Sequence, residues 1–201
     1  MNTGAKVQVE FDNLEDRIKK PEFRRNKGLG NEVGYYIFHY DPEDELIVRE
    51  CAASLKKKIN KSGFDFTVIV FDLYEIIIDI LKGKGFLEKC FNMEKMKGLM
   101  TLVKELNKTF RIDSEQKDSP IINYIKENTP PNSVVFLTGV GKCHPLIHSH
   151  DILNNLHSVI DNVPVIMFFP GGYNGQQLSL FNRITSKNYY RAFPLNYKKR
   201  G

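Results

Sequence analysis

The sequence predicts an α/β protein: a mostly parallel sheet of about five strands with helices on both faces, Rossmann-like or P-loop-like in type but without a functional P-loop. Two observations lead there. Four short runs, residues 35–40, 66–71, 133–138 and 163–169, are almost continuously apolar or aromatic, as strands are when both faces are covered. Between them lie segments of helical length and spacing, and strands joined by such crossovers run parallel with right-handed connections.

Residues 9–19 read as a short amphipathic helix, and 21–34 as a loop rich in charge and glycine. The first strand, 35–40, is bounded by Gly34 and by Asp41-Pro42. Asp41 as N-cap, Pro42 at the first helical position and Asp44 at the third make a strong helix start. Ile47, Cys51, Leu55 and Ile59 then recur every four residues, which places Cys51 on the buried face. After a turn at 60–63 the second strand ends at Asp72, and a helix over 73–81 is stopped by Gly83-Lys84-Gly85. Residues 86–91 form a further helical piece. Met93, Met96, Met100, Val103, Leu106 and Phe110 keep a helical period and read as a packing stripe more than a binding surface. Residues 112–118 are a polar linker; Ser119-Pro120 caps and opens another helix, which Thr129-Pro130-Pro131-Asn132 ends. The third strand, 133–138, leads through a loop, 139–148, to a helix over 152–160 with Leu153, Leu156 and Ile160 on one face. The fourth strand ends in Pro170-Gly171-Gly172, residues 176–184 look helical, and 189–195 supply a fifth strand.

A chain of 201 residues, 41% hydrophobic and 26% charged, reads as a single domain over 1–201, with an N-terminal helix in 1–20 and a basic tail at 197–201. No apolar run approaches the roughly 20 residues that span a bilayer, so no membrane contact is expected. Residues 1–20 carry Asp12, Glu15 and Asp16 and no apolar core, unlike a secretory leader, and the expected location is cytoplasmic. Cys51, Cys90 and Cys143 are odd in number and widely spaced, which suits free thiols. A net charge of +5 fits a solvated surface, while the basic tail could also touch nucleic acid or an acidic partner.

In parallel sheets ligands bind beyond the carboxyl ends of the strands, which singles out Asp41, Asp72, residues 139–142 and residues 170–177. The apolar run into Asp72 resembles a Walker B strand, whose carboxylate holds magnesium, but the signal is weak; Asp72 followed by Glu75 fits a helix N-cap that needs no ligand, and this is the favoured reading. Gly139-Val140-Gly141-Lys142 is similar to the end of a phosphate-binding loop. The complete motif requires glycine where Phe136 stands and Ser or Thr where Cys143 stands, so it reduces to a tight glycine turn. Asp41, Asp72, Gly139, Gly141 and Lys142 are therefore candidates for a strand-end ligand or partner loop. His144, His148, His150 and His157 lie near Cys143 and Asp151, but Pro145 interrupts the spacing and no His-Glu-x-x-His pattern occurs, so no metal site is expected. No Gly-x-Ser-x-Gly elbow is present and no nucleophile is tied to a base, so no catalytic residue, cofactor or enzymatic activity is expected. Arg183 with Tyr189, Tyr190 and Arg191 could stack on bases and pair with phosphates or dock a protein, and alternation along an ordinary edge strand explains the same residues.

Four segments taken together resemble one family. They are Gly28-Leu29-Gly30-Asn31-Glu32-Val33 leading into Tyr35 to Pro42; Gly139-Val140-Gly141-Lys142 with Ser149-His150-Asp151-Ile152-Leu153-Asn154-Asn155-Leu156; Phe169-Pro170-Gly171-Gly172-Tyr173; and Leu178-Ser179-Leu180-Phe181 through Asn188-Tyr189-Tyr190-Arg191-Ala192-Phe193. The family is BrxB, a small component of the BREX bacteriophage-exclusion systems, and the resemblance spans about residues 14–195. His148 stands where the family pattern suggests a basic residue such as arginine. The resemblance implies membership of a multi-protein apparatus that recognises unmethylated invading DNA and blocks phage propagation. Its implied partners are the other BREX subunits: a large ATPase, an adenine-specific DNA methyltransferase and, first among them, the phosphatase-like PglZ. It brings no catalytic residue. The expected function is a non-catalytic adaptor or scaffold; the alternative is a nucleotide-binding or nucleic-acid-binding accessory protein of the same system, with direct DNA contact possible.

Overall fold

The structure is a computed structural model that describes residues 3–25, 34–111, 119–185 and 192–196. Five strands form its parallel sheet: β1 (Tyr35–Tyr40), β2 (Thr67–Asp72), β3 (Ser133–Thr138), β4 (Val165–Tyr173) and β7 (Phe193–Pro194), in the spatial order β2-β3-β4-β1-β7. All four pairings along this path are parallel, with Tyr35 opposite Val165, Thr67 opposite Ser133, Val135 opposite Val165 and Tyr36 opposite Phe193. The predicted α/β class with a mostly parallel sheet and two helical faces is the class observed.

The strand order fixes which helices cover which face. From β1 the chain passes through α3 (Glu45–Lys61) to the far edge of the sheet. It then returns strand by strand through α4 (Leu73–Gly83), α5 (Leu87–Lys97), α6 (Leu99–Phe110) and α7 (Pro120–Glu127), and finally α8 (Ser149–His157). With right-handed crossovers, outward and return journeys lie on opposite faces. Strand alternation then sorts the side chains. Phe38, Phe136, Ile166 and Phe168 join Val48, Leu55 and Ile59 of α3, together with α1 (Thr3–Ile18), in one core. Ile37, Val135, Val165 and Met167 join Ile77, Ile121, Ile125 and Leu156 in the other. Phe168 is the hub of the first core, with ring centres of Phe136, Phe38 and Phe11 at 5.0, 5.1 and 5.7 Å.

Five local expectations are corrected. The first helix begins well before residue 9, because Val7, Phe11, Leu14 and Ile18 carry the apolar period back to its start. Part of the expected loop after it is a short helix, α2 (Pro21–Arg24), whose Phe23 stacks on Tyr36 at 4.5 Å. The fourth strand does not stop at Phe169. It continues to Tyr173, since beyond the last β3–β4 pair, Leu137 with Met167, its free side takes up β5 (Leu178–Leu180) as an antiparallel partner. Residues 176–184 are accordingly no helix: β5 turns at Phe181 and Asn182, both in the left-handed region (φ 54° and 58°), into β6 (Ile184–Thr185). Last, the methionine stripe is split at Gly98 into α5 and α6; Val103 and Phe110 are buried, but Met96 and Met100 are not.

Candidate functional site

At the carboxyl ends of β2 and β3 the chain assembles the residues that the sequence set apart. Asp72 Oδ1 accepts hydrogen bonds from the backbone N–H groups of Tyr74 (3.0 Å) and Glu75 (3.3 Å), capping α4. Its other oxygen lies 2.7 Å from Lys142 Nζ, and Lys142 also reaches Glu75 at 3.4 Å and sits 5.3 Å from the Tyr74 ring centre. Gly139 has φ 76°, and a Cβ there would overlap the Asp72 carboxylate, so the turn accepts only glycine against this acid. The loop amides close on the loop itself: Cys143 N–H bonds the Gly139 and Val140 carbonyls and His144 N–H bonds that of Gly141. Cys143 is buried, and burial together with the Asp72 charge pushes its thiol up to about 12, far from the thiolate a nucleophile needs.

The two groups that could serve a nucleotide, a carboxylate for magnesium and a lysine for phosphate, thus neutralise each other. Asp72 caps α4, as the N-cap reading expects. Gly141 has a different neighbour. A Cβ on it would meet the Phe181 ring at 2.9 Å, so the β5–β6 turn lies directly on the strand-end loop. A cavity of about 300 Å³ opens between them, lined by Val140, His144, Phe169, Leu178, Leu180 and Ile184 among others. Arg183 is on the same turn, its N–H bonded to the Leu180 carbonyl at 3.0 Å, and its side chain is exposed. Tyr189, Tyr190 and Arg191 lie outside the described residues.

The second strand-end region is where β1 and β4 part company. The chain leaves β1 for one face of the sheet, while β4 is reached from the other, the arrangement that opens a crevice in parallel sheets. A cavity of about 450 Å³ occupies it, lined by Lys6, Glu10, His39, Asp41, Gly171 and Asn182 among others. Asp41 accepts from Glu43 N–H at 3.4 Å and opens a short 3₁₀ turn, Pro42–Asp44, from which α3 continues. The expected cap is therefore present, one turn earlier than the helix it was assigned to. His39 was not among the sequence-derived candidates. Burial lowers its imidazole pKa, Lys6 adds to this, and Glu10 and the Gly171 carbonyl oppose it. Its Nε2 is buried with no partner among the described residues. Asn196 holds the strand end, accepting from His39 N–H at 3.3 Å and donating to its carbonyl and to Glu10.

Among the described residues no group of three or more His, Cys, Asp and Glu side chains is placed to hold a metal ion, and no helix is long and apolar enough to cross a membrane. His144 and His148 approach only as rings 6.4 Å apart, and α8 starts at Ser149 with His148 in the N-cap position.

Fold and site together define an α/β protein of the parallel, two-faced kind whose phosphate-like loop is closed by its own lysine and aspartate. The family model "BREX protein BrxB" matches residues 69–195. The chain is 45% identical over 190 residues to the BREX protein BrxB of Bacillus cereus (strain H3081.97), covering 94% of this chain and 97% of that one. It is 33% identical over 191 residues to the BREX protein BrxB of Escherichia coli O9:H4 (strain HS), covering 94% and 91%. The chain belongs to the BrxB family and is a component of a bacterial BREX defence system. No solved structure matches it.

Proposed function

We propose that this chain is a non-catalytic adaptor that joins other BREX subunits, with PglZ the first partner to test. The observation that carries the reading is the Lys142–Asp72 pair at 2.7 Å. Here the cation and the carboxylate pair with each other and Asp72 also caps α4, so neither group stands as a free charge toward a ligand. What remains on the strand-end surface is a loop on which the β5–β6 turn is seated, with Arg183 exposed beside it. Such a surface suits docking more than turnover. The test is affinity purification of the tagged chain from cells carrying the whole BREX gene cluster. Recovery of PglZ or another BREX subunit is expected; recovery of the chain alone, with phage protection intact in its absence, would refute the adaptor role.

The crevice at His39 favours a second reading, a ligand-binding accessory protein. An unpartnered buried imidazole nitrogen in a polar cavity at the strand ends is a place for a small donor-bearing molecule, a nucleotide among them. Any ligand that binds the folded state raises its apparent stability, by about 1.4 kcal/mol at ten times its Kd. Melting curves with millimolar ATP, GTP and magnesium test this, and unchanged curves end it. Direct DNA contact through Arg183 requires salt-sensitive binding to duplex DNA that Arg183→Ala weakens.

A further inference from the structure

The α5–α6 hairpin combines two features that its role in the fold does not need. Of the twelve exposed large hydrophobic side chains among the described residues, four are in it, Phe91, Met96, Leu99 and Met100, and a fifth, Phe86, is the N-cap of α5; Met96 is 80% and Met100 69% exposed. The inner face of α6 explains how this arises. Leu99, Leu102, Val103, Leu106 and Phe110 recur on one helical stripe, but burial is complete at Phe110 and fades to 49% exposure at Leu99. The stripe becomes exposed toward Gly98, and Met96 and Met100 on either side of that turn are exposed as well. Exposed large apolar side chains gathered at one turn, as Met96, Leu99 and Met100 are about Gly98, suit an interaction site.

The second feature is charge. Between Lys82 and Arg111 eight basic residues stand against three acidic ones, Glu88, Glu94 and Glu105, a surplus equal to the +5 of the entire chain. The surplus lies in the stretch from the end of α4 to the residue after α6, and within α5 and α6 themselves five lysines stand against three glutamates. Lys82 pairs with Asp79 and Lys108 with Glu105. Lys84, Lys89, Lys95, Lys97 and Lys104 are exposed and make no ion pair among the described residues.

Exposed apolar side chains interspersed with lysines that form no ion pair among the described residues call for an occupant with carboxylates around an apolar patch. We infer that the α5–α6 hairpin docks an acidic protein surface within the BREX complex, with Met96 and Met100 as adaptable anchors and the surrounding lysines matched to partner carboxylates. A duplex with its bases stacked gives methionines no apolar surface to bury against, and burying them between base steps costs unstacking that a protein surface does not demand. A bilayer requires one apolar helix face, whereas Phe91 and Met96, five positions apart, project about 140° from each other around α5. The inference rests on the adaptor reading and names its surface.

The test uses the full chain co-expressed with the other BREX subunits. Wild type is compared with Met96→Glu/Met100→Glu, which replaces the anchors, and with Lys95→Glu/Lys97→Glu, which reverses the charge. All four positions are exposed, so both variants should melt with wild type, and this is checked first. The expected result is association of wild type with a BREX subunit that weakens as salt rises, and at least a tenfold loss in each variant. Undiminished association of both folded variants would overturn the hairpin assignment while leaving the adaptor reading standing; a wild-type chain that associates with no BREX subunit would overturn the adaptor reading itself. Binding of wild type to vesicles of anionic phospholipid or to duplex DNA that the variants lose would also overturn the proposal, by showing a non-protein occupant.

Discussion

Gly139→Ala probes the contact that decides how the strand-end loop is read. Three costs follow from the geometry. Alanine at φ 76° pays about 1 kcal/mol for the left-handed backbone. Its Cβ overlaps the Asp72 carboxylate, which must move, and the N-cap on α4 is lost at about 1 kcal/mol. The Asp72–Lys142 ion pair, with side chains 24% and 25% exposed, adds up to about 1 kcal/mol more. Together these come to about 3 kcal/mol, or a fall in Tm of roughly 6–12 °C for a domain of this size. The assay is urea and thermal denaturation of wild type, Gly139→Ala, Asp72→Ala and the double variant. With Asp72 already removed, Gly139→Ala should cost only its backbone share, leaving a coupling of about 2 kcal/mol between the two positions. Costs that add to within about 0.5 kcal/mol would refute the reasoning, because independent sites behave that way.

Phe168→Ala empties the hub shared by Phe11, Phe38 and Phe136 and should destabilise the protein by about 3–5 kcal/mol, measured by urea titration. Tyr35→Phe removes the hydroxyl that donates to the buried Ile160 carbonyl at 2.9 Å and should cost about 1–3 kcal/mol with no change in fold by circular dichroism. At Glu15 burial pushes the carboxyl up, but hydrogen bonds and charges from Lys19 and Lys58 outweigh it and hold the pKa below the ordinary value. A depressed carboxyl stabilises above its unfolded pKa and loses that contribution as pH falls, so the stability gap between wild type and Glu15→Gln should shrink below about pH 4.3. The lowered pKa of His39 works in the same direction: neutral His39 contributes above about pH 6.5, and wild type should lose stability relative to His39→Gln as pH drops below it. A His39 ring that titrates by NMR at or above 6.5 would contradict the burial argument.

Strands β1 and β3 were legible to the residue, because an apolar run between Gly34 and Pro42, or after Asn132, has no helical alternative of that length. The cap at Asp72 was equally legible, since it depends only on Tyr74 and Glu75 next to it. Its partner Lys142 was not, because the pair forms only once β2 and β3 lie side by side. The β5–β6 hairpin was hidden for another reason. Its turn places a phenylalanine and an asparagine in the left-handed region with no glycine to announce it, and the Phe181 ring on Gly141, with the Phe181 N–H on the Pro170 carbonyl, accompanies that conformation. His39 escaped because its place in a crevice depends on where β4 leaves the sheet. The stripe of methionines had the right period for a core, but period alone does not say how far the core extends.

The strand order also governs when the protein can fold on the ribosome. β1 is made first, yet its neighbours are β4 and β7, whose residues follow only at 165–173 and 193–194. The aromatic segment Tyr35–Tyr40 therefore waits, unpaired, while nearly all the chain is synthesised, and loops that long close slowly. β2, β3 and the helices between them have no such delay, so the half of the sheet nearest β2 is free to assemble early and to receive β1 as a late, inserted strand.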